Sequence, residues 1–250
     1  MASLDIIHTD EQAQSLIRKL EDIPYACSSL KRLSGGSANY VYRGVLDRPI
    51  PSQDGSLTSK TIIVKYSLSH LPGNVEFALD LSRCGVEKSM LEHLKGSSLA
   101  SRPVIVPHIY FSHRDSQGNI QVQEDFPQAK DMTSSMRSPV LNGFLDQSVM
   151  ISVSHEVGSW LRSFHEWTSA SQQAEFRQRI GCNEPMQKLK HQVTYGTFMN
   201  ILQNFPSILQ DNIEILEKVK QRAESELEDL TSVKEREHYG IIHGDFWMGK

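Results

Sequence analysis

The sequence predicts a two-lobe α+β chain: a five-stranded antiparallel sheet with one major helix over residues 1–126, then a partial, mainly helical lobe over residues 127–250. Three observations predict it. Short runs rich in β-branched and aromatic residues, separated by turn signals, recur up to residue 124. Apolar residues recur at helical spacing from Asp146 onward. A polar, Ser-rich stretch from Gln128 to Pro139 divides the two patterns and reads as a linker or lid.

The first lobe opens with a short helix over residues 10–20, capped by Asp10, with Ala13, Leu16, Ile17 and Leu20 on one face. Leu30–Leu33 and Ala38–Leu46 flank Ser34-Gly35-Gly36-Ser37 and predict a hairpin. Two glycines at such a tip let backbone N–H groups approach a phosphate closely, or simply allow positive φ in a turn. A polar connection over residues 47–60 leads to the strand Thr61–Ser67, whose Lys65 ends an otherwise apolar run. An ammonium there either reaches water or meets an anion, because burying it unpaired is costly.

A helix is expected between Asn74 and Lys95, with Gly85 as the point at which it would break in two. Val86, Met90, Leu91 and Leu94 form its stripe and Glu87 lies beside them, so Glu87 is the first candidate partner for Lys65, with Glu76 and Glu92 as rivals. Pro107–Ser112 and Asn119–Glu124 flank the turn Asp115-Ser116-Gln117-Gly118 and complete the five strands. In the second of them Ile120 and Val122 alternate with Gln121 and Gln123, the pattern of a half-buried strand.

In the second lobe, Met150, Val153, Val157, Trp160, Leu161 and Phe164 mark a core helix over residues 146–168. Further helices are expected over 184–204 and 207–237, the latter with Ile208, Leu209, Ile213, Leu216, Val219 and Leu227 as its apolar face. The chain ends in Tyr239-Gly240-Ile241-Ile242-His243-Gly244-Asp245-Phe246-Trp247-Met248-Gly249-Lys250, a short apolar β segment running into a polar loop with one carboxylate, Asp245. Gly and Asp also suit an ordinary tight turn.

Several function classes are disfavoured. A net charge of −4 without a basic tract argues against nucleic acid and anionic membranes as partners, and points to small molecules. The three cysteines, Cys27, Cys84 and Cys182, are far apart and form no C-x-x-C pair, against a disulfide framework or a zinc cluster. His155-Glu156 and His165-Glu166 begin like H-E-x-x-H, but Ser159 and Ser169 occupy the second histidine's position. Neither a signal peptide nor a membrane-length apolar run is visible, so a cytoplasmic location is the expectation.

Taken in order, Leu33–Arg43, Ile62–Lys65, Val86–Leu94, Val122–Asp125, Trp160–Trp167 and His243-Gly244-Asp245-Phe246-Trp247 resemble the aminoglycoside phosphotransferase family of the protein-kinase-like superfamily, in particular its fungal branch. The resemblance spans residues 33–249 and implies a kinase-like fold and ATP-dependent transfer of a phosphoryl group to a small-molecule hydroxyl. It implies that Gly35, Gly36 and Ser37 lie over the ATP phosphates, that Lys65 contacts the α- and β-phosphates, and that Glu87 holds Lys65. Glu124 and Asp125 would lie at the hinge, where backbone groups meet adenine, and Asp245 would be the catalytic base.

One departure bears on activity. The family's loop continues Gly-Asn, the asparagine holding Mg²⁺, and then reaches a metal-bridging aspartate; this sequence reads Gly249-Lys250 and stops. An ammonium has no lone pair for a cation. The expectation is a truncated member, silent or nearly so, with undercovered apolar surface on the helix at 146–168. The rivals are a nucleotide-binding, pseudokinase-like module acting through a partner, and a fragment without function. A protein kinase is disfavoured by His-Gly-Asp where His-Arg-Asp would stand.

Overall fold

The structure, a computed structural model, describes residues 10–34, 38–51, 58–101, 104–129, 147–181, 183–231 and 241. Among these, two compact units are distinguished, one formed by residues 10–84 with 106–129 and the other by 85–105 with 147–231. The fold is α+β, with an antiparallel sheet in the first unit and helices in the second, consistent with a kinase-like two-lobe fold.

The first unit begins with α1 (Glu11–Leu20), which starts where Asp10 accepts the Ala13 N–H at 3.1 Å. The sheet contains β1 (Cys27–Arg32), β2 (Tyr40–Pro51), β3 (Thr58–Ser67), β6 (Ile109–Arg114) and β7 (Asn119–Glu124), in the order β1-β2-β3-β7-β6. Every neighbouring pair in it is antiparallel. On one face Tyr42, Ile62, Val64, Ile120 and Val122 pack with Ala13, Leu16 and Leu20 of α1 to form the core. The apolar spacing of α1 therefore closes one side of the sheet, at about 25 cal/mol for each Å² of apolar surface removed from water.

Four expectations are corrected here. Residues 74–78 are strand: β4 (His70–Leu71) and β5 (Asn74–Ala78) form a separate two-stranded ribbon. Its turn is Pro72-Gly73 with Gly73 at φ +81°, the conformation that the third residue of a type II turn requires. The helix, α2, runs only over Ser82–Lys95 and passes through Gly85 without a break. Strands β2 and β3 extend to Pro51 and from Thr58, so the described ends of the 47–60 connection are strand, with Ile50 opposite Ser59 and Pro51 opposite Thr58. Finally, β7 is buried on both faces rather than one: Ile120 and Val122 lie in the α1 core, and Asn119, Gln121 and Gln123 on the opposite side are buried too.

In the second unit, α3 (Gln147–Ser169) is followed by α4 (Ala174–Gly181), α5 (Glu184–His191), a π-helical turn (Gln192–Gly196), α6 (Thr197–Leu202) and α7 (Pro206–Thr231). The core gathers Trp160 and Phe164, stacked at 5.3 Å, with Trp167, Phe176 and His93 of α2; the His93 ring stacks on Phe176 at 3.9 Å. Arg177 closes the end of α3 by donating to the carbonyls of Thr168 and Ala170, each at 2.7 Å. Val149, Ile151 and Val153 in the first half of α3 are exposed, while Trp160 and Phe164 in its second half are buried. Ile208, Ile213 and Val219 of α7, expected as a buried face, are exposed too.

Candidate active site

The two faces of the sheet differ in chemistry because side chains alternate along each strand. Opposite the α1 core, the second face carries Val41 and Arg43 of β2, Ile63, Lys65 and Ser67 of β3, and Asn119, Gln121 and Gln123 of β7. Lys65 is central to it, facing Val41 on one side and Gln121 on the other in register. Lys65 is half-buried on this face.

The glutamines around it are buried and bonded to one another. Gln123 Nε2 donates to Gln121 Oε1 at 3.3 Å, and Gln121 Nε2 donates to the Cys84 carbonyl at 3.0 Å. This last bond fastens the first turn of α2 to the polar face. That turn is itself started by Asp80, whose Oδ1 accepts the Ser82 N–H at 2.7 Å. The N–H and hydroxyl of Ser82 hold the Asp80 carboxyl below the usual range, with Arg114 and Arg83 adding to the effect.

At the far end of β7 the chain leaves the sheet through Glu124 and Asp125. Glu124 exchanges bonds with His108: its N–H donates to the His108 carbonyl at 2.8 Å, and its Oε2 accepts the His108 N–H at 3.2 Å. The Asp125 side chain is only 1% exposed and faces Arg43 of β2 in a two-pronged pair, with Nε to Oδ2 at 2.8 Å and Nη2 donating to Oδ1 at 3.0 Å. The exit from β7 is thus pinned to the middle of β2. Nearby, burial pushes the Tyr110 phenol up, and the Glu124 carboxylate adds to the shift.

Of the residues singled out in the sequence, Lys65, Glu124 and Asp125 fall in the first unit on or beside this face. Glu87 is half-buried on α2, in the residues of the second unit. Of its rivals, Glu92 lies 3.9 Å from Lys88 on the same helix, and Glu76 is exposed on β5. Gly35, Gly36, Ser37 and Asp245 lie outside the described residues. The strands on either side of these glycines in the sequence are described: the Leu33 N–H donates to the Val41 carbonyl at 2.8 Å, and Val41 is the register partner of Lys65.

The chain is 29% identical, over an alignment of 259 positions, to a phosphotransferase, FrzJ of Cladobotryum sp; the match takes in 97% of this chain and 63% of that protein. The chain therefore spans under two thirds of the length of this curated relative. No family model matches. The likeness supports a phosphotransferase family.

Among the described residues no group of three or more His, Cys, Asp or Glu side chains is placed to hold a metal ion. Three functional candidates were missed in the sequence: Arg43, Arg83 and the Gln121–Gln123 pair. The glutamines left no distinguishing signal, since polar side chains alternating with Ile and Val read equally as a strand with one face in water.

Proposed function

We propose that the protein belongs to an ATP-dependent pathway of phosphoryl transfer to a hydroxyl group of a small molecule, with Lys65 and Asp245 as the two charged groups of the reaction. The observation that carries the reading is the position of Lys65, in mid-sheet on the polar face, one register step from the strands that bound Gly35-Gly36-Ser37. A lysine so placed suits charge neutralisation on the phosphates of a nucleotide, and the glycine turn suits backbone N–H contacts to them. Asp245 would accept the proton of the attacking hydroxyl, a contribution of roughly 10²- to 10⁴-fold when the carboxylate is in reach. Glu87 would hold the lysine, and the backbone at Glu124 and Asp125 would receive the adenine. The similarity to a phosphotransferase supports the reaction class.

A second reading, a nucleotide-binding module with weak or no turnover, is favoured by Lys250, which stands where the family resemblance puts a metal-binding asparagine. Both readings require ATP binding. Thermal shift with ATP, with and without Mg²⁺, on the wild type and Lys65→Ala is the first test; stabilisation of the wild type, lost in Lys65→Ala, is expected. Absence of any shift in the wild type refutes both. ADP formation with a panel of hydroxyl acceptors then separates them: turnover lost in Asp245→Ala supports transfer, and metal-independent binding without turnover supports the module.

A further inference from the structure

The entry of β2 is held by a side chain that the reaction as proposed does not use. Arg83, in the first turn of α2, donates through Nη2 to the Ala38 carbonyl at 3.0 Å and to Asn39 Oδ1 at 2.8 Å. The same Asn39 oxygen accepts the Ser67 hydroxyl at 2.7 Å. Ser67 is almost fully buried, and it stands two residues beyond Lys65 on the same face of β3. On the other side of Arg83, the Cys84 carbonyl accepts from Gln121, the register partner of Lys65. Arg83, Asn39, Ser67 and Gln121 therefore tie three strands and a helix start together around Lys65, and the acceptors that Arg83 uses here are neutral.

We propose that Arg83 is a positioning residue for nucleotide binding: it holds Ala38 and Asn39 against the end of β3, so that the entry of β2 is ordered beside Lys65 before the nucleotide arrives. The inference rests on the proposed function above. Its physical content is preorganisation. Fixing backbone residues is costly, and when the fold has already fixed them the ligand does not bear that cost. Both bonds leave one guanidinium nitrogen, so what arginine supplies over lysine is the longer reach and the fixed planar direction of its two N–H bonds, not a fork of two nitrogens.

The test is ATP binding by titration calorimetry on the full chain, with hydrogen exchange of the amides at 38–42 measured without nucleotide. Arg83→Met is expected to weaken ATP binding about tenfold, the scale of disordering one to two residues, and to speed exchange at 38–42 while β6 is unchanged. Arg83→Lys is expected to recover only part of both. Asn39→Leu, which breaks the cluster from the other side, is expected to reproduce Arg83→Met and serves if that variant does not fold. In variants with measurable turnover, KM for ATP rises while kcat and the acceptor KM hold. ATP affinity and exchange unchanged in both Arg83→Met and Asn39→Leu overturn the inference and leave the proposed function standing. A wild type that does not bind ATP overturns both.

Discussion

Arg43→Met is the substitution that most directly probes how the exit from β7 is held. Methionine keeps most of the unbranched stem, so packing changes little, while Asp125 loses both of its contacts, at 2.8 and 3.0 Å. With its carboxylate 1% exposed, Asp125 has almost no recourse to water, whereas Arg43 is 34% exposed and was never fully desolvated. Removing one partner of a fully buried pair costs about 3–5 kcal/mol, and the partial exposure of Arg43 discounts this to about 2–3 kcal/mol. Because the chain has two compact units, a single global melt could mix two transitions. Hydrogen exchange of peptides covering 40–45 and 119–125 reads the sheet alone. A loss of about 2–3 kcal/mol accelerates exchange there roughly 30- to 150-fold. Arg43→Lys should fall between, and Arg43→Met with Asp125→Leu should recover part of the loss, since no lone charge then stays buried. Exchange within about threefold of wild type in Arg43→Met, roughly 0.6 kcal/mol, would refute the reasoning.

Three further outcomes are expected. A Cβ on Gly44 would stand 2.7 Å from Cys27 Sγ and one on Gly118 2.5 Å from the Ser67 carbonyl oxygen. Gly44→Ala should therefore lose about 1–3 kcal/mol in urea unfolding and be partly rescued by Cys27→Ala, whereas Gly118→Ala, blocked by backbone, should lose more. The Asp115 carboxylate is held low, first by Lys19 at 2.9 Å and then by the N–H groups of Gln117 and Gly118. Its contribution is present above the unfolded value of about 3.9 and fades as pH falls through the lower folded value; Lys19→Met should flatten the acid limb of a stability-against-pH curve, and an unchanged limb would count against the pairing. Burial, with Asp47 adding, pushes the Cys27 thiol up to about 11. Peptide mapping after iodoacetamide treatment at pH 8 should find Cys27 unmodified in the folded chain and modified in urea.

Most strands of the sheet were legible as runs of β-branched and aromatic residues closed by a turn, whereas β1, with neither residue class, was read only over its end from the turn that follows it, and Asp10 announced α1 by its capping position. The ribbon at 70–78 was not read, although Pro72-Gly73 was a plain turn signal, because the charged and apolar residues after it also suit a helix. The unbroken passage of α2 through Gly85 shows a propensity cost of about 1 kcal/mol overruled by its setting. For the candidate site, Lys65 stood out because a cation closing an apolar strand needs an explanation. Arg43 and Arg83 did not, since each pairs with a group far away in sequence, 82 and 44 to 45 residues distant, and single residues carry no trace of such partners.

Strand β7 has a consequence for how the chain finds its pairing. Its two sides are both shielded, yet one is hydrocarbon and the other amide. Sliding β7 by one position against β3 would thrust Gln121 and Gln123 among Leu16 and Val64 and strand their amides, while Ile120 and Val122 would confront acceptors they cannot serve. An all-aliphatic strand would tolerate that slip at little expense. The alternation thus acts as a proofreading rule for pairing, making the frame-shifted sheet much the less stable one.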